Sequence, residues 1–361
     1  MLRITETILK NNYFNKILIF AVFSPGLKKV EYLDKIRIVI RVKTISKSTW
    51  VGLFRYLFLL EWGIRIVIIT LPYKVKLVNP HSVPALVIAT AIKFIHKCKL
   101  AYDTHEIETE QYLTNSKTKI MSKILEKTFI RHSDIVFTTT DGYSNWYIKT
   151  YELKNVYTVK NYSKKKDIGY VANNYMRNYC NLDKNETLFL YLGIINPNRG
   201  IEILIDVFEK LQNNKHIVFM GYGTLVDKVK EASNSNENIH FHNPVPSFDV
   251  HKLIGGSDVG LCLIPNTHLS YFHTLPNKML ECLNVGIPVI VSNHPDMSAS
   301  VNEFNAGWPI EMNTDSIYKF LHDLKPQEIR LKKKNTKLWA HANTWDSQEK
   351  IIIDCYKKIL T

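Results

Sequence analysis

SYFHTLPNKMLECLNVGIPVIVS, from Ser270 to Ser292, is the stretch from which the rest of the chain is read. A turn at Leu275-Pro276-Asn277 precedes an apolar-periodic run from Lys278 to Val285, and Gly286 then leads into the strand IPVIV. Proline at the first helical position and glycine just past the last are start and stop signals, so the run is a short helix. A loop following the strand Val259 to Ile264 presents its N-terminus, where free N–H groups and the helix dipole attract an anion. Lys278 adds positive charge at that end. Glu281 sits one turn in, where a carboxylate reaches the two hydroxyls of a ribose. A diphosphate and a ribose together describe a nucleotide-activated compound. The plainer alternative is an ordinary helix with a surface lysine and a solvated glutamate.

Strands and helices alternate on either side of this stretch. Before it come the strand Thr187 to Leu192, the turn Gly193-Ile-Ile-Asn-Pro-Asn-Arg199-Gly200 and a periodic helix from Ile201 to Leu211. The strand His216 to Met220 and Gly221-Tyr222-Gly223 follow. This is a doubly wound α/β pattern, with glycine-rich turns at two points where such folds seat ligands. The first half has the same rhythm. Its expected strands are Lys16 to Ala21, Ile36 to Arg41, Ile64 to Ile69, Lys99 to Tyr102, Ile135 to Thr139 and Val156 to Val159. The strand from Lys99 runs directly into Asp103-Thr104-His105-Glu106. Two parallel sheets, each covered by helices on both faces, are the architecture this implies. The charge run Lys164-Lys165-Lys166 reads as a solvated linker at the seam.

Five scattered cysteines, without a CxxC pair or zinc-type histidine spacing, fit buried thiols in a reducing compartment. The N-terminus carries no secretory pattern. Arg55, Glu61 and Arg65 interrupt the apolar run from Trp50 to Thr70 and argue against a spanning helix. The net charge of +14 is concentrated at one end: residues 1–100 hold 17 Lys/Arg against 4 Asp/Glu. These cations are interleaved with Trp50, Phe54, Tyr56, Phe58 and Trp62, within the amphipathic stretch Ser48 to Trp62. A basic, aromatic surface of this kind suits anionic lipid head groups. Nucleic acid is the competing partner, but no nucleic-acid motif is present. A lysine-rich surface without a specific partner is the third reading.

YLGIINPNRGIEILIDVFEKL, FMGYG, SDVGLCLIP and LPNKMLECLNVGIPVIVS occur in an order that resembles the nucleotide-sugar domain of GT-B glycosyltransferases. The likeness is to the large retaining family 4 (group 1). YDTHE, Tyr102 to Glu106, resembles the N-domain signature of members that build capsule and O-antigen polysaccharides, and TWDSQEKIIIDCYKKIL resembles their closing helix. The resemblance implies a GT-B fold: an acceptor-side domain over residues 1–165, a donor domain over 166–342, and a helix over 343–361 packing back across the interface. It implies that Glu281 holds the donor ribose and that Asn277 and Lys278, with Leu275 and Pro276, lie against the diphosphate or sugar. Arg199 stands where a lysine usually neutralises the β-phosphate, while Gly193 and Gly221 admit the ligand to the backbone. His105 would contact the sugar near the reacting carbon, and Glu106 would orient that histidine or the acceptor.

The pattern departs from the family at three points. His273 replaces the first of the paired glutamates, Ile194 replaces an arginine after Gly193, and the chain opens inside the first helix. Members usually have a strand and a glycine-containing loop there, so a first strand is either missing or replaced. The expected activity is hexosyl transfer, with retention and without a metal or other cofactor, from a nucleotide-diphosphate sugar to a lipid-linked oligosaccharide. Such an enzyme would work in cell-surface polysaccharide synthesis, cytoplasmic and peripheral to the inner membrane face. Two alternatives stand beside it: a non-catalytic GT-B scaffold of an assembly complex, and a nucleotide-sugar 2-epimerase.

Overall fold

The computed structural model describes residues 2–11, 13–46, 53–110, 116–164, 174–211 and 214–360. Trp50 of the aromatic segment and Lys165 and Lys166 of the charge run lie outside them. Two compact units are present. Residues 1–139, 143–159 and 347–361 form the first, and residues 140–142 and 160–346 form the second.

In the first unit, α1 (Leu2–Lys10) leads into β1 (Ile17–Val22), β2 (Val30–Tyr32) and β3 (Arg37–Val42). These strands make a sheet in the order β1-β3-β2, with β1 parallel and β2 antiparallel to β3. Helix α2 (Leu53–Thr70), β4 (Leu77–Val78), α3 (Val83–His96), β5 (Lys99–Asp103) and α4 (Ser116–Phe129) follow. Strands β6 (Ile135–Thr138) and β7 (Val156–Thr158), joined by α5 (Asp141–Tyr151), complete a four-stranded parallel sheet in the order β4-β5-β6-β7.

Ile64 to Ile69, expected as a strand, is instead the second half of α2. A β-branched run favours a strand locally. Here, however, Ile66 is buried in a cluster with Val42 and Ile92 while Ile64 and Ile68 are exposed. Alternation over three residues fits either period, and only the packing of α2 on α3 distinguishes them.

The second unit holds α6 (Tyr175–Tyr179), β8 (Thr187–Ile194), α7 (Ile201–Lys210), β9 (Lys215–Tyr222), α8 (Val226–Ser235), β10 (Ile239–His242) and α9 (Ser247–Leu253). Next come β11 (Val259–Cys262), α10 (Leu269–Phe272), α11 (Asn277–Asn284), β12 (Val289–Ser292), α12 (Pro295–Asn302) and β13 (Gly307–Ile310). Helices α13 (Thr314–Asp323), α14 (Pro326–Ala342) and α15 (Trp345–Leu360) end the chain. The sheet is six-stranded and parallel, in the order β10-β9-β8-β11-β12-β13. Alternate residues of β8 serve opposite faces. Leu188, Leu190 and Leu192 enter one core, and Phe189 and Tyr191 enter the other. Burial on both faces explains why β8 is almost wholly apolar.

From residue 347 onward, α15 belongs to the first unit. Its Tyr356 is fully buried, edge-on to Phe137 at 5.8 Å, and Glu349 Oε1 accepts hydrogen bonds from Thr7 and Lys10, each at 2.9 Å.

Candidate functional site

The second sheet reverses direction at β8. The chain builds outward through β9 and β10, then returns to the other side of β8 to lay down β11, β12 and β13. Loops leaving the carboxyl ends of β8 and β11 therefore diverge, and this switch point is where doubly wound sheets open a crevice. Gly193, Arg199, Asn277, Lys278 and Glu281 all lie on the segments that leave it. Gly193 has φ +117°, a conformation that favours glycine, and pairs with Gly221 across β8 and β9. A Cβ on Gly221 would meet the Gly193 carbonyl oxygen at 1.7 Å, so this approach of strand tips requires glycine.

The two cations are held by aromatic rings. Lys278 Nζ sits 4.3 Å from the ring centroid of Tyr191, and the Arg199 guanidinium sits 5.0 Å from that of Tyr271. Lys278 Nζ is buried, with no hydrogen-bond partner among the described residues. Burial pushes the Cys262 thiol up to about 11, against the opposing charges of Lys278 and Arg199, so both cations act on the carboxyl end of β11. Pro276 caps α11 rather than occupying its first turn, which leaves Asn277 and Lys278 as the leading helical residues. Their amides have no helical carbonyl to donate to. Asn277 Oδ1 accepts from Asn161 Nδ2 at 2.6 Å. Leu275 is half-buried and packs against the apolar core, fixing the turn.

His273, at the glutamate position of the family pattern, places Nδ1 3.0 Å from Asp296 Oδ2, a carboxylate in the first turn of α12. The histidine is thus held by an anion and presents only its remaining ring nitrogen elsewhere.

In the first unit the residues after β5 form a second cluster. His81 Nδ1 lies 3.0 Å from Asp103 Oδ2 and 3.2 Å from His105 Nε2, and the two imidazoles stack at 5.3 Å. His81 Nδ1 shares a hydrogen bond with His105 Nε2, whereas Asp103 Oδ2 is a close ion-pair contact of the same nitrogen. Burial alone would raise the Asp103 carboxyl, but the adjoining His81 and His105 imidazoles hold it below its usual value. Partial desolvation of its ring, though the residue as a whole is exposed, lowers His105 against the pull of Asp103 and favours its neutral form. These three side chains could together hold a metal ion, since their ligand atoms lie within 4.8 Å of one another. Glu106 supplies a backbone carbonyl to Thr104 Oγ1 at 2.6 Å. Glu108 accepts from the Val83 amide at the start of α3, and burial pushes its carboxyl up to about 7. Behind the cluster, the buried Glu126 accepts hydrogen bonds from Tyr102, Tyr147 and Tyr151 at 2.8–3.1 Å.

Among His81, Asp103, Tyr191, Tyr271 and Asp296, nothing in the local pattern marks the last three as site residues. A signal for the first pair exists. β5 ends in Asp103, whose amide donates to the carbonyl of Pro80 just beyond β4, and this brings His81 level with Asp103.

Residues 175–339 match the family model described as "Glycosyl transferases group 1". No curated protein sequence matches the chain. Among solved structures, sucrose-phosphate synthase from Thermosynechococcus elongatus superposes with TM-score 0.81 at 15% identity, covering 99% of this chain and 91% of that one. WaaG, described as a glycosyltransferase of lipopolysaccharide biosynthesis, gives TM-score 0.68 at 14% identity, over 98% of this chain and 94% of its own. HepE of Anabaena, solved with UDP-glucose, gives TM-score 0.68 at 14% identity, over 90% and 86%. At these identities the likeness establishes the fold, which is that of GT-B glycosyltransferase structures.

Proposed function

We propose that this chain, whose residues 175–339 match the group 1 glycosyltransferase family model, transfers a hexose from a nucleoside-diphosphate sugar to a hydroxyl of a lipid-linked oligosaccharide. One observation carries the reading. Two cations, Arg199 and Lys278, and a helix N-terminus converge on the switch point of the second sheet, with Glu281 one turn behind them. The main electrostatic demand of such a transfer is the negative charge that develops on the departing diphosphate, and these groups are of the sign that meets it. Glu281 takes the ribose hydroxyls. During transfer the bond from C1 to the diphosphate oxygen breaks, and the acceptor oxygen bonds to C1 on the same face. The hydroxyl proton leaves with the diphosphate. We assign His105 and Glu106 to the sugar and the acceptor hydroxyl, and His273 to the sugar in place of a carboxylate. In this reading cations and dipoles do the work of a metal.

The first unit supports a lipid-linked acceptor. Leu57, Leu60, Ile64 and Ile68 recur at helical spacing along α2 and are all exposed, forming an apolar ridge on the unit that carries most of the chain's excess positive charge. No helix among the described residues is long and apolar enough to cross a membrane. An apolar ridge on a strongly basic unit suits a protein lying on an anionic bilayer at the inner face, where a polyprenyl-linked acceptor in capsule, O-antigen or lipopolysaccharide synthesis is presented.

A thermal-shift screen against UDP, GDP, dTDP and CMP, free and as sugar conjugates, tests the donor site. A ligand at 100 times its dissociation constant adds about 2.7 kcal/mol to stability. Stabilisation by one nucleoside diphosphate, lost in Glu281→Ala, is expected. Indifference to all of them would leave the non-catalytic scaffold as the better reading.

A further inference from the structure

His81, Asp103 and His105 come from two adjoining strand ends of the first unit. The Asp103 amide donates to the Pro80 carbonyl at 2.9 Å, which sets His81 beside the last residue of β5. Asp103 and His105 are two residues apart at that strand end, the spacing that returns side chains to one face. The backbone carrying them is pinned. The Thr104 amide donates to the Phe137 carbonyl, and Thr139 Oγ1 donates to the His105 carbonyl, each at 2.9 Å. Ser82, next to His81, caps α3 by accepting from the Ala85 amide. Backbone fixed in this way preorganises side chains for a common ligand.

Within the cluster, one buried atom lacks what it needs. Asp103 is 4% exposed, and its Oδ2 has no hydrogen-bond partner among the described residues, although His81 Nδ1 is 3.0 Å away. That nitrogen shares its hydrogen bond with His105 Nε2 at 3.2 Å. A proton held between two imidazoles leaves the carboxylate oxygen bare, and a buried acceptor without a donor is costly. A cation, by contrast, takes lone pairs from all three atoms at once. Ligands about 2.0–2.2 Å from a tetrahedral ion lie roughly 3.3 Å from one another. The separations of 3.0 and 3.2 Å, with all three atoms within 4.8 Å, reach this by small adjustments.

The geometry points to a binding site for a borderline divalent transition-metal ion, Zn²⁺ above all, held by His81 Nδ1, Asp103 Oδ2 and His105 Nε2. Two imidazoles and one carboxylate suit such ions, whereas Mg²⁺ and Ca²⁺ take oxygen ligands. Asp103 is buried and His105 exposed, so an ion enters past His105 and keeps a fourth position for water. In the proposed transfer His105 serves the sugar. An ion there competes with the donor and restrains the reaction rather than supporting it. That consequence rests on the proposed function; the site itself does not.

The test uses the full chain without a histidine tag, stripped with EDTA and titrated with Zn²⁺ by calorimetry near neutral pH. No nucleotide is present, so the outcome is independent of whether the chain transfers a sugar. One ion per chain is expected. Co²⁺ reads the same site by the visible absorption of a tetrahedral ion, which Zn²⁺ should abolish by displacing it. His105→Ala changes an exposed residue and should keep the fold, as circular dichroism checks, while Asp103→Asn keeps the side chain's shape without its charge. Each should weaken Zn²⁺ binding by more than the roughly 10–100-fold that a merely supporting group costs. Unchanged affinity in both variants would assign the ion to other histidines of the chain and overturn the proposal. Failure of the metal-free parent to take up either ion would overturn it as well.

Discussion

Gly193 and Gly221 stand opposite one another in β8 and β9, so close that a side-chain carbon on Gly221 would lie 1.7 Å from the Gly193 carbonyl oxygen. This closeness belongs to backbone atoms, which cannot turn aside as a flexible side chain does. Gly221→Ala must therefore spread the carboxyl ends of two central strands. A loss of about 3 kcal/mol is expected, measured by chemical denaturation. A variant as stable as the parent would mean that the strand tips are free to re-space.

Arg199→Ala and Lys278→Met should each lower donor-dependent turnover by roughly a hundredfold or more, since a cation facing a leaving group contributes about 2.7–4 kcal/mol to the barrier. Methionine keeps the apolar stem on Tyr191, so Lys278→Met should stay folded by circular dichroism. Turnover should also be unchanged in EDTA. A requirement for a divalent ion would instead direct attention to His81, Asp103 and His105.

Glu108 predicts a pH dependence of stability. Its carboxyl is raised to about 7 in the folded chain by burial, from an ordinary value of 4.5. Between those two values the folded state holds a proton that the unfolded state has released, so stability falls as pH rises and then levels off above about 7. Glu108→Gln cannot ionise, yet still accepts from the Val83 amide. It should flatten this slope and leave the variant more stable than the parent at pH 8, by up to about 3 kcal/mol. Melting curves from pH 4 to 8 would settle the matter; a parent curve rising across that window would contradict the sign.

Binding to vesicles containing phosphatidylglycerol should weaken as salt rises, because screening reaches about 10 Å at 0.1 M. Leu60 is 61% exposed and Ile64 is 51% exposed, so serine at both leaves the core untouched. The double variant should bind these vesicles about tenfold more weakly at equal salt, by co-sedimentation. Retention of binding in high salt would exclude the electrostatic part of the account.

What residue order alone made legible is local. Apolar runs of strand length, periodic helices and glycine or proline at their ends placed nearly every element of the second sheet, because both faces of β8 and β9 are buried and leave an unbroken apolar signature. The SYFHTLPNKMLECLNVGIPVIVS stretch likewise announced α11 and the lysine and glutamate on it, since caps and charges act within one helical turn. Ile64 to Ile69 misled, because a β-branched run carries the same local preference whether or not a neighbouring helix covers every third or fourth residue. Tertiary structure decided that question, and it decided the company each polar group keeps. His81 meets Asp103 and His105 across more than twenty residues of sequence, and His273 finds Asp296 on the helix beyond the next strand. Hydrogen-bond pairing and cation–ring contact depend on distances between elements, and those follow only from how the packed sheets are ordered.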